Sequence, residues 1–144
     1  MKVVINRRHG GFGLSEKAMY LYAERKGLTL TPRGGGIITT YWTCPPDQIP
    51  KEWKNLANEW LSMSPEQREK VNRFYAENTL SDRRLDRADL DLIAVVEELG
   101  EEANGQFAQL EIEDLPAGTL YRIVEYDGLE SIETEDDVDW KVAF

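Results

Sequence analysis

The chain has 144 residues, enough for one domain with a hydrophobic core, and its 41% apolar and 10% aromatic content excludes a disordered chain. No run of about 18 apolar residues occurs, so the sequence predicts no membrane span. Cys44 is the only cysteine, which excludes a disulfide within the chain and favours a reducing cytoplasm.

The net charge of −10 is unevenly distributed along the chain. Residues 1–44 carry a net charge of +5, residues 45–88 are neutral, and residues 89–144 carry −15. This gradient favours a homo-oligomer in which the basic end of one copy meets the acidic end of another, an association that salt would weaken. The acidic third argues against direct binding of duplex DNA. The alternative is an acidic protein with a solvated charged end.

The first 27 residues predict a strand, a loop and a helix. Residues 2–6 are β-branched and continuous, which is typical of a buried strand. A glycine-rich loop over 7–14 follows. Ser15 can cap a helix that runs to about Lys26, and Gly27 supplies its stop. This order often places a ligand at a helix N-terminus.

The middle of the chain predicts a hairpin and then helices. Short strands over 28–31 and 37–43 flank a turn at 32–36. One helix is predicted over 50–63. Ser64 then begins a capping box for a second helix that reaches about Glu77. Residues 45–80 form a possible helical insertion.

The last third predicts a third helix and then strands. The helix covers residues 89–99, with Leu90, Ile93, Val96 and Leu99 as its buried positions. A strand near residues 107–112 should lie near the first strand, and Asp127-Gly128 predicts a hairpin over 120–133. Residues 138–142 suit a last strand or a docking segment. We therefore expect a single α+β domain with a mixed or antiparallel sheet from N- and C-terminal strands and a central helical segment.

Four segments carry a resemblance to a known family. They are the opening M-K-V-V-I-N, the G-G-F-G-L-S at 10–15, the stretch at 87–105 and the E-Y-D-G at 125–128. Together they resemble a family of small, uncharacterised phage and viral proteins. The chain departs from that family's I-P-R-x-D-P pattern, because neither proline is present around Arg87. The resemblance implies a phage setting and an accessory role in host takeover or counter-defence, but no activity.

The glycine loop is the first candidate site. Glycines at 10, 11 and 13 allow backbone N–H groups to approach an anion, and nearby cationic and aromatic side chains could add charge and stacking. The motif is neither a dinucleotide fingerprint nor a P-loop. The alternative for this loop is a structural turn in which Phe12 fills the core. The predicted ligand-binding residues are Arg7, Arg8, His9, Gly11, Phe12, Gly13, Arg33 and Arg87. The alternative for Arg33 is an ordinary hairpin turn, and the favoured alternative for Arg87 is a structural ion pair with Asp89 or Asp91.

The sequence offers little for catalysis. His9 and Cys44 are the only histidine and cysteine, so a Cys–His enzyme would need these two to meet. No His/Cys cluster has metal-ligand spacing, and the acidic pairs lack an EF-hand pattern. We expect a non-enzymatic protein without cofactor or metal.

Two functions remain open from the sequence. The first is a phage accessory protein that binds an anionic, nucleotide-like ligand through the loop, as a homo-oligomer in the cytoplasm. The second is an acidic inhibitor that mimics nucleic acid and blocks a host protein. A structural virion component is a third option.

Overall fold

The bounds of the elements come from a computed structural model that describes residues 1–35, 38–50 and 59–144. The chain folds as two compact units, one made of Met1–Lys26 with Asp82–Phe144 and the other of Gly27–Ser81. In chain order the helices and strands are β1 (Lys2–Asn6), α1 (Glu16–Arg25), β2 (Thr31–Gly35), β3 (Ile38–Trp42), α2 (Pro65–Asn78), β4 (Thr79–Leu80), α3 (Leu90–Leu99), β5 (Leu110–Asp114), β6 (Tyr121–Tyr126) and β7 (Leu129–Thr134).

In the first unit, β1 pairs with β5 in antiparallel fashion, so that Val4 lies opposite Ile112. Val3, Val4 and Ile5 are fully buried, as the run of β-branched residues predicts. The prediction that Leu110 and Ile112 lie near the first strand is confirmed, whereas Phe107 lies before β5 and is exposed. This pairing fixes the direction in which the chain enters the glycine loop.

Helix α1 begins where its sequence predicts. Ser15 Oγ accepts a hydrogen bond from Ala18 N at 3.1 Å and donates one to Glu102 O at 2.6 Å. The hydroxyl therefore caps the helix and ties its first turn to the segment after α3. Met19 and Tyr22 are among the buried residues of the helix.

Helix α3 confirms the predicted helix but not all of its buried face. Asp89 is the N-cap and its side chain accepts from Asp91 N at 2.8 Å. Leu90 is 82% exposed, so its predicted burial was wrong. The helix buries a wider stripe of its surface than predicted. Its buried residues are Leu92, Ile93, Val95 and Val96.

Strands β6 and β7 form the predicted hairpin. Asp127 and Gly128 have φ values of 49° and 83°, the left-handed region that a two-residue type I′ turn requires. Val124 lies opposite Ser131 in the resulting register. The hairpin prediction is confirmed.

The second unit is built on the sheet order β2-β3-β4. Trp42 is buried and its ring lies 4.9 Å from that of Tyr75 on α2. The predicted capping box at the start of α2 is confirmed. The turn predicted at 32–36 was misplaced, because β2 continues through Gly35. The helix predicted over 50–63 falls largely outside the described residues.

The structure confirms the predicted α+β class. Every strand pair among the described residues is antiparallel. Within those ranges, each helix is too short or too polar to cross a membrane.

Candidate functional site

The glycine loop, residues 7–14, is held at its first half by the hairpin turn. Gly10 N donates to Asp127 O at 3.2 Å. A Cβ placed on Gly128 would overlap Gly11 N and lie 2.8 Å from Gly10 C. The turn and the loop thus touch backbone to backbone, an approach that only glycine at position 128 permits.

The second half of the glycine loop is held by Gly105 and Asp82. Gly105 N donates to Gly13 O at 2.9 Å, and a Cβ on Gly105 would lie 2.8 Å from Gly13 C. Leu14 N donates to Asp82 Oδ2 at 3.0 Å. The loop is therefore fixed at both ends by contacts from residues far away in the sequence.

Three consecutive backbone N–H groups in this loop have no acceptor among the described residues. They belong to Gly11, Phe12 and Gly13. Gly10 and Gly11 have φ values of 121° and 103°, so the backbone there follows a path that side chains disfavour. Unpaired amides in a fixed, glycine-rich loop are a typical arrangement for holding an anion.

Arg87 lies beside this loop, but its charge is already paired. Its guanidinium forms a two-pronged ion pair with Glu130, with Nη1–Oε1 and Nη2–Oε2 distances of 2.7 and 2.9 Å. The same guanidinium lies over the Phe12 ring, 3.4 Å from its centroid. Arg87 therefore holds Phe12 in place and would have to leave a carboxylate to bind a ligand.

Arg7 is occupied in a similar way. Its guanidinium contacts Glu113, and its Nε lies 3.4 Å from Glu111 Oε2. Both acids lie on β5. Arg7 thus joins the start of the loop to the neighbouring strand.

Arg8 and His9 are the cationic and ionisable side chains of the loop that remain exposed. The backbone of Arg8 is fixed by Asn6, whose Nδ2 donates to Arg8 O at 2.7 Å. The Arg8 guanidinium has no hydrogen bond or ion pair within the described residues. His9 Nδ1 lies 3.1 Å from Asp127 O. Both side chains are exposed, and of the two only His9 has a hydrogen-bond partner among the described residues.

The remaining predicted residue, Arg33, lies on β2 in the second unit. Its Nη1 donates to Pro32 O, the carbonyl of the preceding residue, at 3.0 Å. Its contribution to ligand binding stays a prediction.

Most basic side chains of residues 1–44 form ion pairs with acidic side chains of the same chain. Of the seven Lys and Arg residues in 1–44, the five that pair with acids of residues 89–144 are Lys2, Arg7, Lys17, Arg25 and Lys26. Only Arg8 and Arg33 of that set have no ion pair among the described residues. The opposite charges of the two ends therefore meet within a single chain at these five side chains, and the predicted homo-oligomer stays a prediction.

One cluster of these pairs joins α1 to α3. Tyr22 Oη donates to Asp89 at 2.7 Å, and Lys26 Nζ lies 3.0 Å from Asp89 and 2.9 Å from Asp91. Burial raises the pKa of Tyr22 to about 12, reinforced by its hydrogen bond to Asp89. Burial opposes ionisation of Asp89, but the bonds from Tyr22 and Lys26 outweigh it and lower its pKa.

Two important residues were missed by the sequence interpretation. Asn6 is fully buried and donates its backbone N–H to Glu130 Oε1 at 2.8 Å and its side-chain amide to Gly128 O at 2.7 Å. A polar residue at the end of a buried β-branched strand was the available signal for Asn6. No local pattern marks Glu130, which lies in an alternating strand among other acids.

No group of three His, Cys, Asp or Glu side chains suited to a metal ion occurs in the described ranges. Comparison with protein-family models, curated proteins and solved structures gave no match. The resemblance to phage proteins therefore stays a prediction.

Proposed function

We propose that the chain is a non-enzymatic binding protein that holds a small anionic, nucleotide-like ligand against its N-terminal glycine loop. The observation that carries this proposal is the run of three backbone amides at Gly11, Phe12 and Gly13 that have no acceptor among the described residues. The same loop contains the exposed Arg8, whose guanidinium has no partner among those residues. A fixed loop loses little conformational entropy when it binds, so the arrangement is preorganised for a phosphate.

The predicted site residues then divide into two roles. Arg8, His9 and the loop amides contact the ligand. Arg7 and Arg87 position the loop through their carboxylate partners on β5 and β7. Phe12 has one ring face against Arg87 and is half-buried, so stacking on a base would have to use the opposite face.

The resemblance of the opening motif to small phage proteins supports an accessory role in the host cytoplasm, in host takeover or counter-defence. In that role the protein would remove a nucleotide signal by binding it. The alternative of nucleic-acid mimicry has less support, because within the described residues eight of the seventeen acids in 89–144 already pair with Lys or Arg.

Calorimetry with inorganic phosphate and a panel of linear and cyclic nucleotides tests the proposal. We expect Arg8→Ala to weaken binding by about ten- to a hundred-fold, since a charge-assisted hydrogen bond contributes about 1.5–3 kcal/mol. Arg73→Ala, which removes an exposed arginine from α2, is the matched control and should bind as wild type does. Absence of binding to the whole panel, or an Arg8→Ala variant that binds like wild type, would exclude the loop as the site.

A further inference from the structure

The terminal segment, residues 138–144, follows β7 and a short turn of helix, lies outside every helix and strand, and pairs with no strand among the described residues. Its apolar side chains alternate with Asp139 and Lys141, the period-2 pattern of a β-strand. Trp140 is 86% exposed and Val142 is 81% exposed. Large apolar side chains in strand spacing, left in solvent, are typical of a segment that adds to another sheet.

The outer edge of β6 offers a strand of matching length. Within the described residues β6 pairs with β7 alone. In a two-residue hairpin the residues that flank the turn exchange both hydrogen bonds, so Tyr126, Val124 and Arg122 direct their backbone groups toward β7. The alternate residues, which include Ile123 and Glu125, direct their backbone N–H and C=O groups away from β7. These groups can form hydrogen bonds with another strand.

One antiparallel register between these two segments satisfies both packing and charge. When Val142 lies opposite Val124, Trp140 falls opposite Tyr126, which is 79% exposed. The same register places Lys141 opposite Glu125. Aromatic pairs and opposite charges directly across an antiparallel ladder are both stabilising.

The segment cannot reach this register on its own chain. Val138 lines a cavity of about 180 Å³ together with Leu120 and Tyr121, so the segment leaves the fold beside the start of β6. Trp140 follows Val138 by two residues, which span about 7 Å, whereas Tyr126 lies five residues along the strand from Tyr121, about 17 Å away. A second copy has no such restriction, and a two-fold axis would let each copy supply its segment to the other.

The geometry points to a homodimer formed by reciprocal strand addition, in which residues 138–144 of each copy pair with the outer edge of β6 of the other. This inference is independent of the proposed ligand. It assigns self-association to main-chain hydrogen bonds and apolar contacts instead of to the charge gradient.

Cross-linking between two single-cysteine variants, each built on Cys44→Ala, tests the dimer. Val124→Cys and Val142→Cys would face each other as a non-hydrogen-bonded pair, with Cα atoms about 4.5 Å apart, within disulfide range. We expect an oxidised mixture of the two to contain about tenfold more disulfide-linked dimer than either variant alone. A mixture of Val124→Cys with Leu90→Cys is the control, because Leu90 is as exposed as Val142 but lies on α3.

Two results would overturn the inference. One is a mixture that cross-links no more than its Leu90→Cys control. The other is a double variant, Val124→Cys with Val142→Cys, that closes its disulfide within a monomer, because the segment would then pair with its own edge. Sedimentation of the unmodified chain should also give a dimer. Trp140→Ser should raise the dissociation constant of that dimer about tenfold.

Discussion

Arg87 and Glu130, 43 residues apart, form a two-pronged ion pair beneath the glycine loop. The Glu130 side chain is 8% exposed, and its Oε1 also accepts from the backbone of Asn6. The Arg87 backbone is tied to β1 as well, since its carbonyl accepts from Val4 N at 2.8 Å. This pair therefore joins the loop, β1 and the hairpin.

Loss of one partner of this pair should destabilise the fold strongly. We expect Glu130→Gln to lower the free energy of unfolding by about 3–5 kcal/mol, because Arg87 would keep a buried charge without a counter-ion. The double variant Arg87→Met with Glu130→Leu should recover part of that loss. Urea unfolding measures both.

The exposed pair Arg122–Glu133 is the matched control. Arg122 is 70% exposed, so Arg122→Gln should cost only about 0–1 kcal/mol. Equal costs for Glu130→Gln and Arg122→Gln would mean that the Arg87 pair does not hold the loop.

Two glycines with positive φ should respond differently to alanine. Gly11→Ala adds a Cβ with nothing within 4 Å, so only backbone strain of about 1–2 kcal/mol is expected. Gly128→Ala adds a Cβ that would overlap the Gly10–Gly11 backbone. It should separate the turn from the loop and lower the melting temperature much further. Similar melting temperatures for the two variants would contradict this backbone contact.

Acid should weaken the cluster between α1 and α3. Hydrogen bonding to Lys26 lowers the pKa of Asp91 below its ordinary 3.8, and the pKa of Asp89 is lowered too. A carboxyl group whose pKa is lower in the folded than in the unfolded protein stabilises the fold at every pH above its unfolded pKa. This stabilisation is lost as the pH falls through the pKa of the folded state. The free energy of unfolding should therefore fall below about pH 4.

Asp91→Asn should make this fall shallower, measured from urea midpoints at neutral pH and at pH 3. Glu98→Gln is the control, because Glu98 lies on the same helix and has no ion pair among the described residues. If Asp91→Asn and Glu98→Gln show the same pH dependence, the cluster does not contribute to acid stability.

Self-association should survive high salt. The charge gradient alone predicts a dimer that weakens as the Debye length falls from about 10 Å at 0.1 M to about 3 Å at 1 M. Strand addition depends on main-chain bonds and apolar contacts, which salt screens little. Sedimentation at both salt concentrations distinguishes the two, and dissociation at 1 M would favour the charge-based dimer.

Local signals in the sequence predicted the elements well. Ser15, the capping box at Ser64 and the Asp127-Gly128 turn each act within a few residues, so their effect can be read from spacing. Leu90 shows the limit of such patterns. Which side of an amphipathic helix is covered depends on its neighbours, and spacing alone does not specify them.

The site was predictable only in part. The sequence located the loop and its glycines, but it did not indicate which acids would pair with Arg7 and Arg87. Their partners lie 106 and 43 residues away, in strands whose acids look alike in the sequence. The same is true of Gly128, whose close contact with the loop arises only when the hairpin packs against it.

The most direct test of the account is the response of three backbone amides to an anion. We expect ¹⁵N–¹H resonances of Gly11, Phe12 and Gly13 to shift together and saturate when a nucleotide is added, because these N–H groups have no acceptor in the described part of the chain. Amides of α2 in the second unit serve as the internal reference and should not move. If the three amides stay unchanged up to millimolar nucleotide while others shift, the ligand binds elsewhere and the glycine loop is a structural turn.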